Sequence, residues 1–290
     1  MCDLKSILFL AFLGCVSCIH VEDIDQPPEE PLQLFQRNIG NFIVDSELYV
    51  IRGEILNKEA YQQRLSLPQP LPEEDLSSET IDLSFQSLTL KKNGVIYTMG
   101  ENVRFKVHQL NAEGGRIATF PKDQVAAPQK DGRSGGFVYL HADIAQGDLY
   151  ISLLGEKGGT GEPGKDPDLS LRGKDGIAVF GRCGEDAYVT VGTKGEPGFS
   201  GGAGKRGGDT GNFELNISDQ TKFRYHLEKI PGKGGDGGMG GRGGEGGHTP
   251  NLCGMGRKPV EGDRGIPGSP GADGGLGSLC LTSHGATTCL

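Results

Sequence analysis

Three aspartates, Asp143, Asp148 and Asp186, fall near short strand-like runs, and paired carboxylates are what acid–base cleavage of a glycosidic bond requires. Acidic groups at strand ends are ordinarily solvated, so this set is thin ground for an enzyme. The six histidines, His20, His108, His141, His226, His248 and His284, are dispersed, with no pair at metal-ligand spacing on one element. Gly-x-Gly-x-x-Gly matches abound, but a chain with 50 glycines generates them by chance, and none opens a helix after a strand. A calcium-binding glycine nonapeptide needs aspartate after Gly-Gly-x-Gly-x, whereas Arg242 follows Gly237–Gly241 and His248 follows Gly243–Gly247. No Gly-x-Ser-x-Gly elbow occurs. The expectation is no catalytic residue, no metal and no cofactor.

Cysteine chemistry is more informative. Beyond the first 20 residues stand Cys183, Cys253, Cys280 and Cys289, an even number that suits an oxidising compartment. Four cysteines allow three pairings, and the spacings match no zinc motif. Loop closure favours Cys280 with Cys289, which leaves Cys183 with Cys253 to tie two glycine-rich tracts together. The alternative is four free thiols.

The remaining cysteines lie in the leader. After Lys5 comes the apolar run Ser6-Ile-Leu-Phe-Leu-Ala-Phe-Leu-Gly-Cys15-Val-Ser-Cys18, too short to span a bilayer but of the length of a secretory h-region. The segment resembles a bacterial lipoprotein signal, in which a small residue precedes the cysteine that receives lipid. Phe12-Leu13-Gly14-Cys15 fits that pattern with Phe in place of the usual Leu, so the resemblance implies lipidation at Cys15, with Cys18 as the alternative. Residues 1–14, or 1–17, would be removed. The competing reading is an ordinary signal peptide with incidental cysteines. The stretch that follows, to about residue 40, begins acidic and proline-rich and reads as a solvated tether. Charge is concentrated there. Residues 21–80 carry 13 acidic and 4 basic side chains, a difference of −9 equal to the whole formal charge, and residues 81–290 carry 24 of each. No basic patch interleaves with aromatics, so nucleic acid is not an expected partner.

The elements that would position all of this fall into two halves. Residues 41–154 hold short alternating runs, among them Ile81–Phe85, Leu88–Leu90, Val103–Val107, Phe137–Leu140 and Leu149–Ile151. Asn93-Gly94 is a hairpin-type turn signal. Only Asn57–Leu65 reads as a helix, ended by Pro68, Pro70 and Pro72. This half is expected to be an all-β domain, either a sandwich or a few coils of a β-solenoid; glycine-led strands recurring at 12 to 21 residues support the solenoid.

Residues 155–290 are different. Of the 50 glycines, 39 lie here. They form tracts with glycine at every third residue, 155–164, 192–207, 232–247 and 262–277, the first three each entered from a strand-like run and the fourth standing near the end. A threefold glycine period belongs to extended left-handed helices of three residues per turn, whose one edge it strips of Cβ atoms. In 234–247 two of every three residues are glycine, so that tract can be packed closely on two sides; in 262–277 one edge alone is bare.

The triplets Gly-Glu-Pro, Gly-Ile-Pro, Gly-Ser-Pro and Gly-Ala-Asp make this half resemble the interrupted collagen-like regions of bacterial surface lipoproteins. The double-glycine stretch is similar to the polyglycine II bundles of some phage tail-fibre adhesins and small antifreeze proteins. The fold expectation is therefore an all-β domain followed by a glycine-rich region of polyproline or polyglycine II-like helices interleaved with strands. Glycine loses the most entropy on ordering, so such tracts need hydrogen-bond partners, and neighbouring tracts of one chain supply them without association entropy. That favours a monomeric bundle over a collagen-type homotrimer; a flexible glycine-rich linker is the remaining alternative.

Together these features imply a protein exported across the inner membrane and lipid-anchored to the bacterial envelope, at the outer membrane or cell surface. Its expected role is structural or adhesive and non-enzymatic, with the membrane and surface glycans or proteins as partners. A polysaccharide-active β-solenoid enzyme is the competing class.

Overall fold

A computed structural model describes residues 36–66, 79–168, 170, 172–183, 185–283 and 286–289. The signal segment, Cys15, Cys18, most of the tether and the prolines after the helix lie outside the described residues. Residues 34–290 form one compact unit.

Among the described residues twelve strands and one helix follow in chain order: β1 (Gln36–Val44), β2 (Glu47–Ile51), β3 (Glu54–Asn57), α1 (Lys58–Leu65), β4 (Thr80–Lys91), β5 (Val95–Tyr97), β6 (Asn102–Ala118), β7 (Phe137–Leu154), β8 (Ala178–Val179), β9 (Tyr188–Val189), β10 (Asn212–Ile230), β11 (Leu279–Ser283) and β12 (Ala286–Cys289). Ten of the strands make one mixed sheet, and β8 pairs with β9 separately. Its spine is parallel: β1, β4, β6, β7, β10 and β11 succeed one another in register, and only β2–β3 and β11–β12 within it are antiparallel. Chain beginning at Gln36 already belongs to the sheet, inside the segment read as tether, and strands from the glycine-rich half extend that same sheet.

Register explains the core. Ile81, Val103, Val138, Phe213 and Leu279 stand side by side on successive strands, as do Leu83, Phe105, Leu140, Leu215 and Leu281. All but Leu281 are buried. The inward positions then shift phase: Phe85 is followed by Leu88, Val107 by Leu110 and Ala142 by Ala145. A period of two cannot cross such a step without a bend, so each long strand turns a corner at the same level. Each fully buried aliphatic or aromatic side chain contributes roughly 1.5–3 kcal/mol of transfer free energy, and stacking identical levels makes the ladder continuous.

Two local readings were tested by this geometry. Asn57 caps α1, its Oδ1 accepting from Ala60 N at 2.8 Å. Asn93-Gly94, by contrast, is not a hairpin: Gly94 N–H donates to Lys91 O at 2.7 Å, and β4 and β5 on either side of it both pair parallel with β6. Glycine is needed there because a Cβ would collide with the Val44 carbonyl. The true two-residue hairpin is Arg52-Gly53, with φ of 48° and 77°, joining β2 to β3.

Between the long strands the chain makes excursions through the glycine tracts. Tract 1 (155–164, resuming at 173–176) leaves β7, tract 2 (192–208) returns into β10, tract 3 (232–247) leaves β10, and tract 4 (262–277) returns into β11. These segments lie outside strands and helices, yet their backbones bond to one another at every third residue. Tract 1 donates to tract 3 from Gly155, Gly158, Gly161 and Gly164 to Ile230, Lys233, Asp236 and Met239. Tract 3 donates to tract 2 from Gly232, Gly235, Gly238, Gly241, Gly244 and Gly247, and tract 4 to tract 3 from Gly262, Gly265, Gly268, Gly271 and Gly274. Tracts 1 and 3 run in one direction, and tracts 2 and 4 in the other. Between Gly164 and Gly173 tract 1 advances nine residues while its partner carbonyls advance six, from Met239 to Glu245. Tract 1 thus holds one triplet more than its partner between these two rungs.

Candidate functional site

Glycine content follows the number of neighbours. In tract 3, a Cβ on Gly234, Gly237 or Gly240 would collide with the backbone of tract 4, and one on Gly235, Gly238 or Gly241 with that of tract 1. Only the third position points outward, carrying Asp236, Met239, Arg242, Glu245 and His248. Tract 1 shows the same rule within itself. Gly159 faces the returning segment 127–130, whose Ala127 carbonyl a Cβ would strike; one triplet further on, the equivalent position is the exposed Glu162.

Aspartates close the outward edge. Asp131 accepts from Arg206 N at 2.9 Å, Asp166 from Arg242 N at 2.6 Å, Asp175 from His248 N at 2.8 Å and Asp273 from Gly234 N at 2.8 Å. Asp209 does the same for Gly275 N at 2.5 Å. These amides face away from the ladder, and the carboxylates give them a partner across the tract boundary. The backbone hydrogen bonds hold the Asp175 and Asp209 carboxyls below the usual aspartate range. At third positions where no such aspartate reaches, Pro163, Pro197, Pro267 and Pro270 remove the donor altogether.

Both disulfides fasten ends. Cys183 is bonded to Cys253, with Cα atoms 5.8 Å apart, joining the turn after β8 to the loop after tract 3. Cys280 is bonded to Cys289 across the β11–β12 pair, with Cα atoms 4.0 Å apart.

The three aspartates considered for hydrolysis do not converge. Asp143 on β7 pairs with His108 Nδ1 at 2.8 Å and lies 3.7 Å from His141 Nε2. Asp148, beyond the strand corner, pairs with Arg224 Nε at 2.7 Å and lies 3.9 Å from His226. Asp186 sits in the turn between β8 and β9, its N–H donating to Arg182 O. Among the described residues no group of three His, Cys, Asp or Glu is placed to hold a metal ion. Comparison with known protein families, curated proteins and solved structures finds no match.

What does converge is a polar grid on the outer face of the first arm of the sheet. Register places Asp82, Arg104, Tyr139 and Glu214 in one row across β4, β6, β7 and β10, and Ser84, Lys106, His141 and Asn216 in the next. Asp82 is buried and accepts from Arg104 Nη1 at 3.1 Å and Lys106 Nζ at 2.7 Å, so its charge is paired. Phe137 and Tyr139 stack at 4.1 Å between centroids, and Arg104 lies 5.1 Å over the Tyr139 ring. A concavity of about 440 Å³ opens between these side chains, with the backbone of Leu140 beneath it. No sequence motif marks the grid. Its members are spread over β4, β6, β7 and β10, and only the inter-strand register brings them together; the usable signal was the alternation that put them opposite core residues.

A second polar group is internal. The Glu101 carboxylate accepts from Arg52 N at 2.7 and 2.9 Å and so fixes the β2–β3 hairpin. Burial pushes its pKa up to about 7.

Proposed function

We infer that this chain is a lipid-anchored protein of the bacterial cell envelope with a structural or adhesive role and no catalytic activity. In this reading the glycine tracts are polyglycine II-type helices of one bundle, and the parallel strands with their aligned corners are coils of a short β-solenoid that sets the bundle's register. The observation that carries it is the three-residue ladder of backbone hydrogen bonds among the tracts. It supports a rigid module in which glycine's entropy cost is offset by intrachain partners. At about 3.1 Å per residue, an 18-residue tract of this kind spans roughly 56 Å, a length suited to projection from a surface. The lipoprotein-like leader with Cys15 or Cys18, and the acidic, proline-rich stretch behind it, support anchorage at a membrane.

Labelling cells with radioactive palmitate tests the anchor: Cys15→Ala is expected to abolish the label, and Cys18→Ala to do so if Cys18 is the modified residue. Label that persists in both variants would overturn both cysteine assignments, and a parent protein that takes up no label would sink the anchor. Sedimentation of the protein without its lipid tests the assembly: a monomer supports the bundle, and a trimer with a cooperative collagen-like melt overturns it.

A further inference from the structure

The concavity on the outer face of β6, β7 and β10 is lined by groups that still have hydrogen-bonding capacity to offer. Arg104 and Lys106 each use one donor on Asp82, which leaves further N–H groups on both. The Tyr139 hydroxyl, the Glu214 carboxylate and the Asn216 amide make no hydrogen bond among the described residues. His141 has only its 3.7 Å approach to Asp143. Free donors on β6 therefore face acceptors on β10 across a small opening. Strands stand about 4.8 Å apart, and outward residues on one strand about 6.8 Å apart. This spacing sets six polar side chains in two rows over the strand backbones.

Charge narrows the ligand. Arg104 and Lys106 are matched by Asp82 and Glu214 within the same grid, and Asp143 adds a further negative charge beside His141. An anionic polymer gains no net attraction there, and neither does a polycation. A ligand that is neutral, compact and dense in hydroxyl groups, each able to donate and accept, matches the set. We propose that the Arg104–Lys106–Tyr139–His141–Glu214–Asn216 concavity binds a neutral saccharide unit of a surface polysaccharide. Glu214 and Asn216 take hydroxyl donors on one side, and the free N–H groups of Arg104 and Lys106 take hydroxyl oxygens on the other. The inference deepens the adhesive part of the function proposed above and rests on it.

The test is calorimetric titration of the purified full chain with four neutral probes, maltoheptaose, laminarihexaose, mannohexaose and galactohexaose, and with hexagalacturonate as the acidic comparison. At least one neutral probe is expected to bind, and Glu214→Gln and Asn216→Ala are each expected to weaken it about fivefold to tenfold, the loss of one or two ligand hydrogen bonds. Arg224→Ala, on the arm beyond the strand corner, is expected to leave affinity unchanged. The proposal is overturned if no neutral probe binds at millimolar concentration, if hexagalacturonate alone binds, or if the Glu214→Gln/Asn216→Ala double variant binds as the parent does. Saccharide binding without palmitate labelling would remove the anchor and keep this site; the reverse would keep the anchor and remove the site.

Discussion

Gly238→Ala is the sharpest perturbation of the tract ladder. An alanine Cβ at this position would lie within 2.9 Å of three backbone atoms of tract 1, Glu162 O, Glu162 C and Gly161 O, and none of them is the end of a flexible side chain. Tract 3 must then move away from tract 1. The nearest bonds between them are Gly161 N to Asp236 O at 2.9 Å and Gly164 N to Met239 O at 2.7 Å. Losing both costs about 2 kcal/mol at roughly 1 kcal/mol net each. Strain from overpacking adds about 1–3 kcal/mol, for a total of about 3–5 kcal/mol. Gly202→Ala is the matched control. Its Cβ would meet Glu162 N at 3.2 Å and Glu162 O at 3.4 Å, a close but yielding contact, and alanine restricts the unfolded chain by about 0.4–1 kcal/mol in the opposite sense. The two variants differ by the same single methyl group in adjacent tracts. Urea unfolding followed by circular dichroism should show a large loss for Gly238→Ala and a change within about 1 kcal/mol for Gly202→Ala. Equal midpoints for the two would refute the claim that second-position glycines are fixed by the neighbouring tract.

Replacing Cys183 and Cys253 by serine should cost about 4 kcal/mol against about 2.5 kcal/mol for Cys280 and Cys289, because the loops closed span 70 and 9 residues; denaturant titration under oxidising conditions reads the order directly. Glu101 has a folded pKa of about 7 against 4.5 unfolded, so the folded state holds the extra proton between those values and stability falls as pH rises through that window. Glu101→Gln should flatten the stability profile between pH 5 and 8, where the parent loses on the order of 3 kcal/mol over the whole shift; an unchanged slope would assign the pH dependence elsewhere.

Much of the framework could be read in the sequence because it depends on period. The alternation of Val103-Arg-Phe-Lys-Val states which face of β6 is buried, and the glycine triplets state which edges of each tract are bare. The helix cap at Asn57 was equally local. Register is what the sequence leaves open. Nothing in the chain says that Arg104 stands beside Tyr139 and Tyr139 beside Glu214, since those neighbours are set by the stacking of core residues 35 and 75 positions apart. Asn93-Gly94 misled for a related reason: a glycine admitted for close approach to Val44 has the same spelling as a glycine admitted for a tight hairpin. The outward aspartates carry no sequence signal of their role, because it depends on the amide that lies across from each.

The surplus triplet in tract 1 sets a rule for how this module can change length. Partners along every tract are counted in threes, so an insertion of one or two residues would place side chains where only glycine fits for the whole remaining ladder. A full surplus triplet in one tract alone is tolerated, as between Gly164 and Gly173, with the ladder resuming beyond it. A longer module instead requires a triplet in each of the four tracts at the same level. Growth is therefore digital, one triplet per tract at a time, and a relative of different reach should differ by matched blocks of three residues, not by scattered single insertions.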